Sequence, residues 1–133
     1  MTRIDPRTGA ASAPVDVGGG PTAVAVTAGA VWVTNGNDGT VSLVDPRTRA
    51  ERGRFPVGNG PAGIAVSARA GGSVWVALNL DGALARLDPA TGAVAAKTPV
   101  GNGPTGVVAV AGSVWVSNQY GATLVRVGST LYA

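Results

Sequence analysis

The sequence predicts an all-β fold, a β-propeller of three four-stranded blades in an open or partial ring, and three recurring landmarks carry that prediction. A Gly-Pro turn stands at Gly20-Pro21, Gly60-Pro61 and Gly103-Pro104. A Val-Trp-Val core stands at Val31-Trp32-Val33, Val74-Trp75-Val76 and Val114-Trp115-Val116. An Asp-Pro turn stands at Asp5-Pro6, Asp45-Pro46 and Asp88-Pro89, in a fixed order with the other two. The tryptophans lie 43 and then 40 residues apart, a period that belongs to stacked structural repeats. The longer interval is explained by a loop insertion in Ala68-Arg69-Ala70-Gly71-Gly72. Repeats therefore start near residues 18, 58 and 101, after a partial blade over residues 3–17, and residues 1–133 read as one propeller segment.

Each repeat divides into four strands. The first (Thr22 to Val26, Ala62 to Val66, Thr105 to Val110) and the second (centred on Trp32, Trp75 and Trp115) are apolar on both alternating faces, which predicts burial on both sides. The third (Val41 to Val44, Leu84 to Leu87, Thr123 to Val127) mixes in Ser42, Arg86 and Arg126, as a half-exposed strand does. The fourth (Pro14 to Val17, Arg54 to Val57, Lys97 to Val100) carries Pro56 and Pro99 at matching places; proline cannot donate to a ladder and marks an edge. A gradient from apolar strand to proline-bearing strand is that of a blade from axis to rim. Asp-Pro-Arg-Thr-Gly (5–9) and Asp-Pro-Ala-Thr-Gly (88–92) are turn sequences, and Asn35-Gly36, Asp38-Gly39 and Asp81-Gly82 mark the hairpin between second and third strands.

Composition narrows the chemistry. With 45% apolar but only 5% aromatic residues, Ala and Val must supply most of the packing. The chain contains no Cys and no His, which removes disulfides, thiolate chemistry and the side chain that most often moves protons near neutral pH. The net charge is only +3, and the Arg47, Arg49, Arg52 and Arg54 cluster has no aromatics interleaved; it reads as a solvated rim rather than a nucleic-acid surface. No stretch approaches the roughly 18 unbroken apolar residues of a membrane helix, so no membrane insertion is expected. The opening residues lack the apolar core of a signal peptide, which leaves localisation open.

Val-Trp-Val-Thr-Asn (31–35) followed by Gly-Thr-Val-Ser-Leu-Val-Asp-Pro (39–46) resembles the YVTN family of bacterial β-propeller repeats and, more loosely, the streptogramin-lyase-like propellers. The resemblance covers roughly residues 3–127. It implies a binding scaffold or sensor domain, with enzymes only occasional, and an extracytoplasmic parent protein. The lyase chemistry of the looser relatives depends on His and a bound magnesium ion, and a His-free chain departs from it at that point. Three blades are too few to surround an axis, since propellers close with 4 to 8. The expected partners are a second copy, giving six blades, or the remainder of a longer propeller.

In this topology the loop entering the first strand and the loop joining the second to the third open on one face, around the channel mouth. That face would carry Asn59 and Asn102 from the first set of loops, and Asn35, Asn37, Asp38, Asn79, Asp81, Asn118, Gln119 and Tyr120 from the second. These form the candidate ligand-binding rim, suited to a small molecule or peptide. The simpler account is that Asn and Asp stand there because they tolerate turn geometry. The three tryptophans read as packing between blades rather than as a stacking platform. Asp38 and Asp81 could offer oxygens to a divalent ion, but no Asp-x-Asp-x-Asp-Gly run supports a metal, and none is assigned. No nucleophile-base pair can be assembled and Gly18-Gly19-Gly20-Pro21 precedes a strand, not a helix, so no catalytic residue and no cofactor are expected. A non-enzymatic scaffold follows, with a divalent-metal-dependent lyase or lactonase-like propeller as the alternative.

Overall fold

A computed structural model describes residues 1–27, 29–67, 72–110 and 112–128. Eleven strands appear among them, in three antiparallel sheets. Blade 1 comprises β1 (Pro21–Thr27), β2 (Ala30–Asn35), β3 (Thr40–Val44) and β4 (Glu51–Pro56), hydrogen-bonded in that order. Blade 2 repeats the order with β5 (Pro61–Ser67), β6 (Ser73–Leu78), β7 (Ala83–Leu87) and β8 (Val94–Pro99). Blade 3 has β9 (Pro104–Val110), β10 (Ser113–Asn118) and β11 (Thr123–Gly128). The predicted insertion lies largely in residues 68–71, outside the described residues.

The Asp-Pro turn is the same structure three times. In each, the Asp carboxylate accepts from the backbone N–H two residues on (Arg7, Arg47, Ala90), and the Thr hydroxyl does the same for Ala10, Ala50 and Ala93. Short polar side chains that mimic a backbone turn explain why Asp and Thr occur at these spacings. The fourth strands begin earlier than predicted, right after this turn, and Pro56 and Pro99 close them opposite Thr40 and Ala83. Pro14 to Val17 is not a strand. Instead residues 1–15 hold a looser pairing, with an Ile4–Ala11 bridge and mutual backbone bonds between Met1 and Val15. Its register equals that of β3 and β4, where Val44 faces Glu51 and Val41 faces Phe55.

The core lies between blades. Strand alternation sends Trp32, Val41 and Leu43 from blade 1 toward blade 2, which answers with Ile64, Val66, Val74, Val76 and Leu78. Blade 2 repeats the arrangement with Trp75 and Leu84 against Val107, Ala109, Val114 and Val116 of blade 3. Blades 1 and 2 thus each offer a tryptophan to the next blade, and blades 2 and 3 each meet it with a valine-rich face. The Thr34 hydroxyl, donating to the Ala62 carbonyl at 2.7 Å, adds a polar tie between the first two.

The prediction that every first strand is buried on both sides holds only for the middle blade. Val24 and Val26 of β1 and Val108 and Val110 of β9 are exposed, because each end of the stack has one face without a neighbouring sheet among the described residues. The third strands vary: Ser42 is fully buried, hydrogen-bonded between Asn35 and Glu51, Arg86 is half-buried, and Arg126 is exposed. No helix in the described residues is long and apolar enough to cross a membrane.

Candidate functional site

The loops entering the first strands and the hairpins joining second to third strands meet at one end of the blades, tied by a belt of backbone hydrogen bonds. Gly36 and Asn37 donate to the carbonyls of Gly20 and Gly19. Val57 then donates to Gly39, Asn79 and Leu80 to Gly60 and Asn59, Val100 to Gly82, and Gln119 and Tyr120 to Gly103 and Asn102. Loop, hairpin and next loop are linked in sequence across all three blades. The belt is possible because Gly20, Gly60 and Gly103 hold positive φ values of 66–72° under the hairpin tips. A Cβ on any of them would strike the side chain of Asn37, Leu80 or Tyr120 lying above it.

The ten rim candidates separate into three groups. Asn37, Asn59, Asn102, Gln119 and Tyr120 are exposed around the mouth. Asp38 and Asp81 are exposed too, but their carboxylates hold the loops: Asp38 accepts from the Gly19 N–H at 2.6 Å, and Asp81 accepts from both the backbone N–H and the side-chain amide of Asn59 at 2.9 Å. Those two Asn59 donors hold the Asp81 carboxyl below its ordinary value, with Lys97 contributing a weaker attraction. The remaining three are structural.

Asn35 and Asn118 do not reach the mouth. They are 0% and 2% exposed, because they end β2 and β10 directly beneath the backbone at Gly18 and Gly101. Asn35 donates through Nδ2 to the hydroxyls of Thr40 and Ser42, and Asn118 to Thr123 and the Val100 carbonyl. Asn79 is half-buried and stitches blade 2 to blade 3 through the Pro104 carbonyl and the Thr105 hydroxyl, both at 3.2 Å. A polar chain continues outward from Asn35: Ser42 donates to Glu51, and Arg54 donates to both Glu51 carboxylate oxygens. Partial burial opposes the Glu51 charge, but the bonds from Arg54 and Ser42 outweigh it and hold its carboxyl below the ordinary value.

Leu80 is a rim residue that the polar pattern of the sequence does not single out. It is 75% exposed at the hairpin position shared by Asn37 and Tyr120, and aligning the repeats on their tryptophans would have found it. This end of the blades therefore exposes an amide, an aliphatic group and a phenol at equivalent places in successive blades. Such a set can combine hydrogen bonding with apolar contact on a rigid frame. Among the described residues no three acidic, His or Cys side chains gather into a metal-ligating group. At the opposite end of the blades a groove between blades 1 and 2 is lined mainly by Val26, Leu43, Val66 and Pro89, with Arg52 at its edge bonded to the Gly29 carbonyl. Thr27 and Ser67 are the other polar side chains of its lining.

No protein-family model matches the chain, and no curated protein does. Solved structures match it in fold. Hydrazine synthase from Kuenenia stuttgartiensis superposes with a TM-score of 0.78 at 17% identity, over 84% of this chain and 33% of that one. Virginiamycin B lyase from Staphylococcus aureus gives 0.71 at 18% identity, over 84% and 39%. A catalytically inactive His-to-Ala variant of that lyase, solved with quinupristin, gives 0.68 at 12% identity, over 94% and 47%. The chain thus spans less than half the length of each of these structures, and the likeness shows its fold: its sheets are blades of a β-propeller.

Proposed function

We propose that this chain is a non-enzymatic propeller scaffold that binds a small molecule or peptide at the channel mouth. The observation that carries the reading is the exposed series Asn37, Leu80 and Tyr120, mounted on a belt of main-chain bonds that leaves those side chains uncommitted. Preorganised loops lose little freedom on binding, which favours affinity from a small contact area. The ring around the mouth is completed by further blades, from a second copy or from the remainder of a longer propeller.

The enzymatic alternative is favoured by one observation, that virginiamycin B lyase and hydrazine synthase are among the structures similar in fold. Two observations weigh against it. The lyase variant lacking one His is catalytically inactive, and this chain contains no His. Asp38 and Asp81, the acidic residues nearest the mouth, are already engaged by backbone N–H groups.

A ligand screen read by amide chemical-shift changes tests the scaffold reading. Hits should perturb residues 37, 80 and 120 together, and Tyr120→Ala should weaken them about tenfold while Thr91→Ala at the far end leaves them unchanged. Binding of a divalent ion that is lost in Asp38→Ala or Asp81→Ala, with turnover of a lactone or cyclic peptide, would establish the enzyme instead.

A further inference from the structure

Blade 3 has three strands among the described residues. In blades 1 and 2 the outer edges of β3 and β7 are covered by β4 and β8, whereas no described strand pairs with the outer edge of β11. The face of blade 3 that would meet a next blade is also open: Trp115 is 38% exposed, against 1% and 4% for Trp32 and Trp75, and Leu124 is 63% exposed. At the other end of the stack, Val24 and Val26 occupy the places from which Ile64 and Val66 cover Trp32. The two open faces are the two halves of an interface that the chain already makes twice internally.

We infer that two copies of this chain close a six-bladed ring in which residues 11–17 of one copy form the fourth strand of blade 3 in the other. The register follows from blade 1, where Val41 faces Phe55 and Val44 faces Glu51: Leu124 faces Val15 of the second copy, and Val127 faces its Ala11. Residues 11–15 are now held by Met1–Ile4, through the Ile4–Ala11 bridge, the two Met1–Val15 bonds and the Ser12 N–H donating to the Arg3 carbonyl at 2.9 Å. β11, by contrast, is paired with β10 over six residues and is already anchored in its own sheet. Met1–Ile4 is therefore the segment that yields, and the exchange replaces a pairing with a segment outside any sheet by one with a strand already anchored in its own sheet. Pro14 is compatible with it. Val15 exchanges both backbone bonds with its partner, so alternation turns the neighbouring residue outward, where a missing N–H costs nothing. Two copies supply six blades, within the 4 to 8 that close a propeller.

The inference deepens the scaffold reading by completing its mouth, but its readouts are mass and cross-linking, so failure to bind a ligand and failure to assemble are separate results. The Cys-free sequence makes the test direct. Light scattering of the full chain should give twice the 13.0 kDa monomer. Val15→Cys and Leu124→Cys variants, unfolded, mixed and refolded together, should then cross-link through a short bismaleimide as a mixed dimer, with neither variant cross-linking alone. A folded monomer, a dimer without the mixed cross-link, or a ladder of larger species each overturns the inference; a folded monomer would assign the open faces to further blades of a longer propeller.

Discussion

Arg49 holds a φ of 60° at the place where the equivalent Asp-Pro turns have Gly9 and Gly92. A side chain in the left-handed region costs about 1 kcal/mol, so Arg49→Gly should raise stability by about that amount, seen as a higher urea midpoint at unchanged slope. Ala122, at 52°, occupies the place of Gly39 and Gly82. A Cβ at those glycines would meet the Gly58 and Gly101 carbonyls, the residues just after the fourth strands, and no such strand covers Ala122 among the described residues. A second expectation concerns charge. The Asp81 carboxyl lies below its ordinary value of 3.8 when folded, so its stabilising effect is fully present above that value and disappears as pH falls through the folded one. Asp81→Asn should therefore be less stable than the parent near neutral pH, and the gap in urea midpoint should close in acid. Turn residues such as these were legible in the sequence because their conformations demand Gly, Asp or Thr locally. The split of the Asn residues between the exposed rim and the buried strand ends was not, since burial depends on the neighbouring blade.

The strands show where pattern gives way to context. Asn35, Thr40 and Ser42 of blade 1 are matched in blade 2 by Leu78, Ala83 and Ala85, so the same three places are filled once by a hydrogen-bonded set and once by an apolar one. Buried polar groups destabilise most when only one partner is removed. Asn35→Leu alone should cost about 1–3 kcal/mol, whereas the triple change to Leu, Ala and Ala should recover most of that loss. Chemical denaturation of the single and triple variants measures the coupling; equal losses in both would show that the set does not act as a unit. The repeat pattern located nine of the eleven strands closely, but it started β4 and β8 three residues late and placed a strand at Pro14 to Val17 where none forms. It could not tell β1 and β9 from β5, because all three are equally apolar and only their position in the stack decides which faces meet another sheet.

At the level of the whole molecule the three tryptophans would report the ring closure proposed above. Trp75→Ala removes a fully enclosed ring and should cost about 3–5 kcal/mol, while Trp115→Ala in dilute solution should cost about 1 kcal/mol or less. Raising the protein concentration should widen the Trp115→Ala deficit if its face is covered by another copy, since association stabilises only the competent partner. Repeat spacing alone revealed the architecture, and the imbalance between a partial first blade and a three-stranded last one was visible too. The belt at the mouth was not, as it consists of carbonyls and N–H groups that every residue possesses. Its main-chain character has a practical consequence. Because the frame asks nothing of the side chains at 37, 80 and 120 beyond glycine beneath them, those three positions form a natural combinatorial library: one fold could present many different recognition alphabets, and selection could rewrite the ligand without rewriting the scaffold.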